Sequence, residues 1–314
     1  MFSFFKRNKN KQPTPQWASF FNADEYAQFL ERLNHYLEKE KIAYSLGNGE
    51  ITIQDGSFGA DQLGLVNLAQ MCKQQPVRKW QSMITNHFNS LRENAVFQDE
   101  FTKKAHDFDF VKPYLVVRLY SKEYLSYIGD EAFIGKPVTD DIVAILAFDL
   151  PMAITNVKPE QTIQWNKTNE ELFDWGLENA RINNPVEIVT ETIGEFNVRL
   201  VQGNHFFAPN TVLELHRHTG FVGTQGSLVG IPHRHGVLIY PIEHLQVVTA
   251  ITTLIPLING LYKEGPGAIS PQLFWYYDNQ FTTLPYELSN EKIQFYPPEP
   301  FLNMLNNLED PAAS

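Results

Sequence analysis

The spacing of apolar residues divides the chain into helical and extended stretches. From Asn22 onward, Tyr26, Phe29, Leu30, Leu33, Tyr36 and Leu37 recur every three or four positions, which places them on one face of a helix. Asn22 with Glu25 three residues on supplies a capping box at its start. Two short strands follow at 42–46 and 50–54, joined through Gly47-Asn48-Gly49, a sequence that tolerates the positive φ of a tight hairpin. The run 63–71 fits a third strand or a short helix equally well. Pro76 opens a second helix at a position where its missing N–H costs nothing. Trp80, Met83, Ile84, Phe88, Leu91 and Ala95 form the buried stripe of that helix.

After a polar stretch at 103–109 the pattern changes. Residues 114–120 (YLVVRLY) and 142–148 (IVAILAF) are nearly continuous apolar runs, as in strands covered on both faces. Residues 152–157 are placed to pair with the second run across Pro151. Thr168 and Glu171 cap a third helix with Leu172, Trp175, Gly176 and Asn179 on its inner face, and Asn183-Asn184-Pro185 ends it. Strands are predicted at 186–191, 197–202, 227–231 and 236–240, with a short helix at 209–216. Segments 273–278 and 280–284 predict a closing hairpin around Asp278-Asn279. The apolar stretch 245–262 approaches the length of a membrane span. It carries Gln246, three threonines, Pro256 and Asn259, so it reads as a buried helix broken at Pro256.

These elements describe an α+β protein with a mixed, largely antiparallel sheet flanked by helices and a smaller N-terminal helix-strand-strand-helix unit. The expected boundaries are a flexible tail at 1–20, the small unit at 21–108, a larger C-terminal α+β domain at 109–290 and a tail at 291–314. With 43% hydrophobic residues, the 314-residue chain can bury a core without a metal or disulfide staple. A net charge of −11 repels phosphate backbones and anionic lipid, which argues against nucleic acid as a partner. The one basic cluster, Lys6, Arg7, Lys9 and Lys11, falls in the N-terminal tail. Cys72 is the only cysteine, as suits a reducing compartment. The first residues place aromatics before charges, the reverse of a signal peptide. A cytoplasmic protein is expected, with no integral membrane segment.

Candidate chemistry concentrates in 203–244, which holds His205, His216, His218, His233, His235 and His244. Clustered imidazoles are raw material for a divalent metal. His233 and His235 would share a face if they stood on one strand, and Glu214 and Glu243 are the nearby carboxylates. No HExxH, cupin or extradiol pattern is present, however, and no metal or other cofactor is assigned. Arg217 and Arg234 are suited to an anionic ligand, because guanidinium pairs bidentately with carboxylate or phosphate. The candidate ligand-binding set is therefore His205, Arg217, His233, Arg234 and His235. Gly220, Gly223 and Gly226 lie between the two His-Arg-His elements without the Walker lysine or dinucleotide spacing. They suggest a mobile loop, a candidate lid. Cys72 reads as a buried structural thiol, no serine sits in a GxSxG elbow, and Asp140-Asp141 and Glu170-Glu171 are ordinary at a strand entry and a helix cap.

Several strings are familiar: YLVVRLYS at 114–121, IVAILAFDLPMAITNV at 142–157, TNEELFDWGLENAR at 168–181, GNHFFAPNTVLEL at 203–215 and LVGIPHRHGVLIYPI at 228–242. Across roughly 25–285 the chain resembles the bacterial domain-of-unknown-function family 1444, the YtpQ-like proteins. The resemblance implies a fold and a cytosolic setting, and no activity. Similar proteins carry an acidic residue after the Pro-His-Arg turn, where His235-Gly236 stands here. Function then rests on the residues. The leading expectation is a non-enzymatic binding or interaction module for a protein or small-molecule partner, supported by the acidic charge and by aromatics such as Phe274, Trp275, Tyr276 and Tyr277. The alternative is a metal- or anion-dependent enzyme, a hydrolase for instance, using 203–244. A third reading is an immunity-like partner of a basic toxin.

Overall fold

The structure, a computed structural model, describes residues 14–53, 56–128, 133–151, 153–289 and 292–308. Two compact units divide between Lys104 and Ala105. In the first, a 3-10 turn (Gln16–Ala18) precedes α1 (Ala23–Lys39), whose start carries the expected reciprocal Asn22–Glu25 capping box. Then come β1 (Tyr44–Leu46), β2 (Glu50–Ile53), β3 (Gln62–Gly64), α2 (Val66–Lys73) and α3 (Trp80–Lys104). The ambiguous run 63–71 thus resolves into both options, a short strand and then a helix. The three strands form an antiparallel sheet in the order β1-β2-β3. Phe29, Leu33, Tyr36, Ile51, Trp80 and Phe88 build this unit's core. Ala18 and Phe21 are buried in it as well, with Trp17 and Phe20 packed alongside. The tail expected at 1–20 is therefore wrong from residue 16 onward, because these aromatics find a core to enter. The basic cluster at Lys6–Lys11 lies outside the described residues.

The second unit runs through α4 (Phe108–Val111), β4 (Leu115–Ser121), α5 (Lys122–Ile128), β5 (Gly135–Pro137), β6 (Ile142–Leu150), β7 (Ala153–Asn156), α6 (Pro159–Thr162) and α7 (Asn169–Asn183). It continues with β8 (Glu187–Ile193), β9 (Phe196–Gln202), a 3-10 segment (Ala208–Arg217), β10 (Ser227–His233), β11 (Gly236–Pro241) and α8 (Val247–Glu264). The chain then forms β12 (Leu273–Tyr277), β13 (Gln280–Leu284), β14 (Tyr286–Ser289), β15 (Lys292–Phe295) and α9 (Glu299–Asn306). One sheet has the order β4-β6-β5, with β7 also paired to β6 as expected across Pro151; Met152 itself lies outside the described residues. The second sheet has the order β13-β12-β10-β11-β9-β8, and β14 pairs with β15. Every named pairing in both units is antiparallel. The α+β class, with antiparallel sheets flanked by helices, is thus what the chain adopts.

Sequence and packing explain the layers. Seven consecutive residues of β6 are buried, as a doubly covered strand requires. Helix α7 lies close on β4 because Gly176 has no Cβ, which would stand 3.0 Å from the Val116 carbonyl carbon. Asn179 then reaches the Lys112 and Leu115 carbonyls at 2.7 and 3.0 Å. Trp175 turns outward instead, 37% exposed, with the Lys112 ammonium 3.3 Å from its ring centroid. The 3-10 segment bridges the sheets, touching β4, β9 and β11, and the buried Asn210 donates to the Val117 carbonyl at 2.8 Å. Helix α8 covers the other face of the six-stranded sheet through Val247, Ile251, Leu254 and Ile258.

Pro256 does not break α8, contrary to expectation. It sits on the exposed face of a continuous helix, so the Thr252 carbonyl that it leaves unpaired is offered to water. Among the described residues, no helix is long and apolar enough to cross a membrane. Asp278 and Asn279 hold φ of 48° and 59°, the two positive values of a tight β12–β13 hairpin. That hairpin does not close the fold. The expected C-terminal tail contains β15 and α9, and Phe301 is fully buried beside Trp275, 5.3 Å between ring centroids.

Candidate functional site

The β10–β11 connection is the centre of the histidine-rich segment. His233 ends β10 and Gly236 opens β11, so Arg234 and His235 form a two-residue turn. The expectation that His233 and His235 share a strand face fails for this reason. Their ring centroids are 6.3 Å apart, and the rings are tied down locally. The His235 N–H donates to His233 Nδ1 at 3.2 Å, and Arg234 Nε donates to His235 Nε2 at 3.2 Å. His235 Nε2 must therefore be the unprotonated nitrogen. Its Nδ1–H donates to the Gly203 carbonyl at 3.1 Å. His205 works in the same way: its Nδ1 accepts from the Phe207 N–H at 3.2 Å, leaving Nε2–H for the Pro185 carbonyl at 3.1 Å.

These rings are tied down through their nitrogens, to backbone groups and to Arg234. Burial, and then the neighbouring His235, hold His233 below the ordinary histidine pKa. Among the described residues, no group of three or more histidine, cysteine, aspartate or glutamate side chains is placed to hold a metal ion. The convergence of His205, His233 and His235 that a metal centre needs is thus not built.

The turn is clasped from behind by the loop after α8. A Cβ on Gly265 would stand 2.2 Å from His233 Cδ2, and one on Gly267 would stand 2.5 Å from Arg234 Cδ. Gly267 also holds φ of +69° and accepts the Arg234 N–H at 3.0 Å. Arg217 stands apart from this group, which corrects its place in the candidate set. It ends the 3-10 segment, half exposed, with Nε 2.9 Å from Glu214 Oε1. His218 stacks on Phe221 at 4.7 Å. The glycine-rich loop is no free lid either. Glu243 accepts from both the N–H and the hydroxyl of Thr224, and the N–H of Gln225 bonds the Ile242 carbonyl at 3.1 Å. A Cβ on Gly223 would meet the Ile242 carbonyl oxygen at 2.5 Å, so glycine here serves close packing.

Beside the turn opens a cavity of about 600 Å³ between α8 and the β8–β9–β11 end of the sheet. Strand register builds its wall. Glu191 pairs with Val198, and Gln202 pairs with both Glu187 and Gly236, so side chains two apart along each strand share the cavity face. Val198, Leu200 and Leu238 form the apolar floor, and Leu257 and Leu261 of α8 form the opposite wall. The rim is polar: Glu187, Glu191, Gln202, Asn204, His233 and His235. No lysine or arginine lines it. Gln202 Nε2 donates to Glu187 Oε2 at 3.0 Å, which fixes one edge of the mouth.

A second cavity, about 420 Å³, shares Asn204 with the first and is lined by Asp149, Asn184, His205 and Phe206. Burial raises the Asp149 carboxyl above its ordinary pKa, opposed by the Asn184 hydrogen bond and then by the Arg118 charge. Sequence reasoning passed over Arg118, Asp149 and Phe206. The available signal was Arg118 itself, a charge inside an apolar strand run where arginine is rare unless it has a task. A scan against protein-family models, a search of curated proteins and a search of solved structures each find no match to the chain.

Proposed function

We propose that the chain is a non-catalytic small-molecule-binding protein whose ligand occupies the cavity between α8 and strands β8, β9 and β11. The observation that supports this is the cavity's form: about 600 Å³, an apolar floor and a few polar groups at one rim, as ligand sites are built. The reading is binding rather than turnover, because the ring nitrogens of His205 and His235 are engaged with backbone groups and Arg234. Two carboxylates at the rim, with no lysine or arginine in the lining, favour a ligand with an apolar body and a cationic or hydrogen-donating head. Cytoplasmic residence belongs to the same proposal and rests on the single cysteine; membership of family 1444 rests on the quoted strings alone.

Octylammonium and octanoate, which share a tail and differ in head charge, test the reading by calorimetric titration. The ammonium probe is expected to bind at least tenfold more tightly. The double substitution Glu187→Gln and Glu191→Gln is expected to remove most of that preference. Equal binding of both probes, or none of either, would count against the proposal.

A further inference from the structure

A different observation concerns the face of β4. Arg118 shares that face with Tyr120 on its own strand, and through the Arg118–Ile145 pairing with Ile145 and Asp149 on β6. Its guanidinium carbon lies 4.6 Å from the Tyr120 ring centroid and 5.4 Å from that of Phe206. Arg234 reaches the same Phe206 ring from the β10–β11 turn, at 4.1 Å. Two guanidinium groups, contributed by different sheets, therefore meet at one phenyl ring.

Among the described residues no carboxylate lies within ion-pairing distance of Arg118 or Arg234. Among the described residues, Arg118 Nε is buried without a hydrogen-bond partner, and the Arg234 guanidinium gives only its Nε, to His235. Aromatic faces answer part of the charge, but they satisfy no N–H donor. A buried charged donor without an acceptor is costly, and a second cation beside it adds repulsion. The acid that shares the Arg118 face, Asp149, is hydrogen-bonded by Asn184 and reaches Arg118 only through its charge, beyond ion-pairing distance. Tyr120 and Tyr124 stack at 4.8 Å beside the cluster, and Tyr124 is 45% exposed, so the cluster reaches solvent.

We infer that Arg118 and Arg234 form a binding site for a small oxyanion, the carboxylate or phosphate group of a ligand, held against the Phe206 ring. The planar forks of two guanidinium groups present paired N–H donors that match either group. This inference does not depend on the α8 cavity.

The probes are inorganic phosphate and benzoate, titrated by calorimetry at constant ionic strength against a chloride control. At least one is expected to bind saturably to the wild-type protein, and the one that binds identifies the anion class. Arg118→Met and Arg234→Gln should each weaken that binding at least tenfold. Arg234 lies in a two-residue turn whose backbone bond to Gly267 does not need its guanidinium, so its variant keeps the test decisive if Arg118→Met fails to fold. Leu257→Trp, which fills the α8 cavity, should leave anion binding unchanged. Absence of saturable binding by both probes, or wild-type affinity in either arginine variant, would overturn the inference.

Discussion

Arg118→Met should raise the stability of the C-terminal unit, although it removes a charged residue from the centre of a strand. The side chain runs along an apolar face, and methionine keeps a flexible stem of similar reach there. Two contributions oppose each other. Loss of the ring contacts with Tyr120 and Phe206 removes about 0.5–1 kcal/mol each. Loss of the unsatisfied buried donor recovers about 1–3 kcal/mol, and the repulsion from Arg234 disappears with it. The balance is a gain of about 1 kcal/mol, or roughly 2–4 °C in Tm for a unit of this size. Differential scanning calorimetry in a buffer free of phosphate and carboxylate reads it directly. A fall of more than about 5 °C would show that the guanidinium is satisfied in the folded protein and would refute the reasoning.

Other perturbations follow from packing and titration. Asp149→Asn should matter only above acid pH. Burial raises the folded pKa over the unfolded value, so the penalty on the native state grows from the unfolded pKa up to the folded pKa and is constant above it. The variant should match wild type in Tm near pH 4 and exceed it near pH 7; the opposite trend would contradict the assignment. Gly176→Ala should lower stability by about 1–2 kcal/mol in urea melts, because crowding against Val116 outweighs the ~1 kcal/mol gained in helix propensity. Cys72, its thiol pushed up to about 11 by burial, should resist a disulfide reagent at pH 8 in the native protein and react stoichiometrically once unfolded. Rapid labelling of the native protein would contradict its placement in the core.

Local signals in the sequence carried the elements, and long-range packing decided the rest. The Asn22–Glu25 and Thr168–Glu171 capping boxes and the Asp278-Asn279 turn are short-range chemistry, and each stands where its residues required. Pro256 misled because exposure of one helix face, which no periodicity reports directly, lets a proline sit mid-helix. Trp17 and Phe20 and the segment 292–306 read as tails because the cores they join, with members such as Trp80 and Trp275, are distant in sequence. The site was partly legible. His233, Arg234 and His235 were singled out by type, but their roles depend on the turn and on Gly203, Gly267 and Phe206. Arg217 was grouped with them by neighbourhood in sequence and is instead held by Glu214. The cavity walls were not legible, because Glu187, Leu200, Leu238 and Leu257 converge only through strand register and the placing of α8.

Occupancy of that cavity is the most direct test. Octylammonium titrated into the wild-type protein by calorimetry should bind at a single saturable site. Leu257→Trp, filling the space between α8 and the floor at Leu200 and Leu238, should abolish the binding while phosphate or benzoate still binds. Octylammonium binding of undiminished affinity in the Leu257→Trp protein, or none in the wild type, would contradict the account.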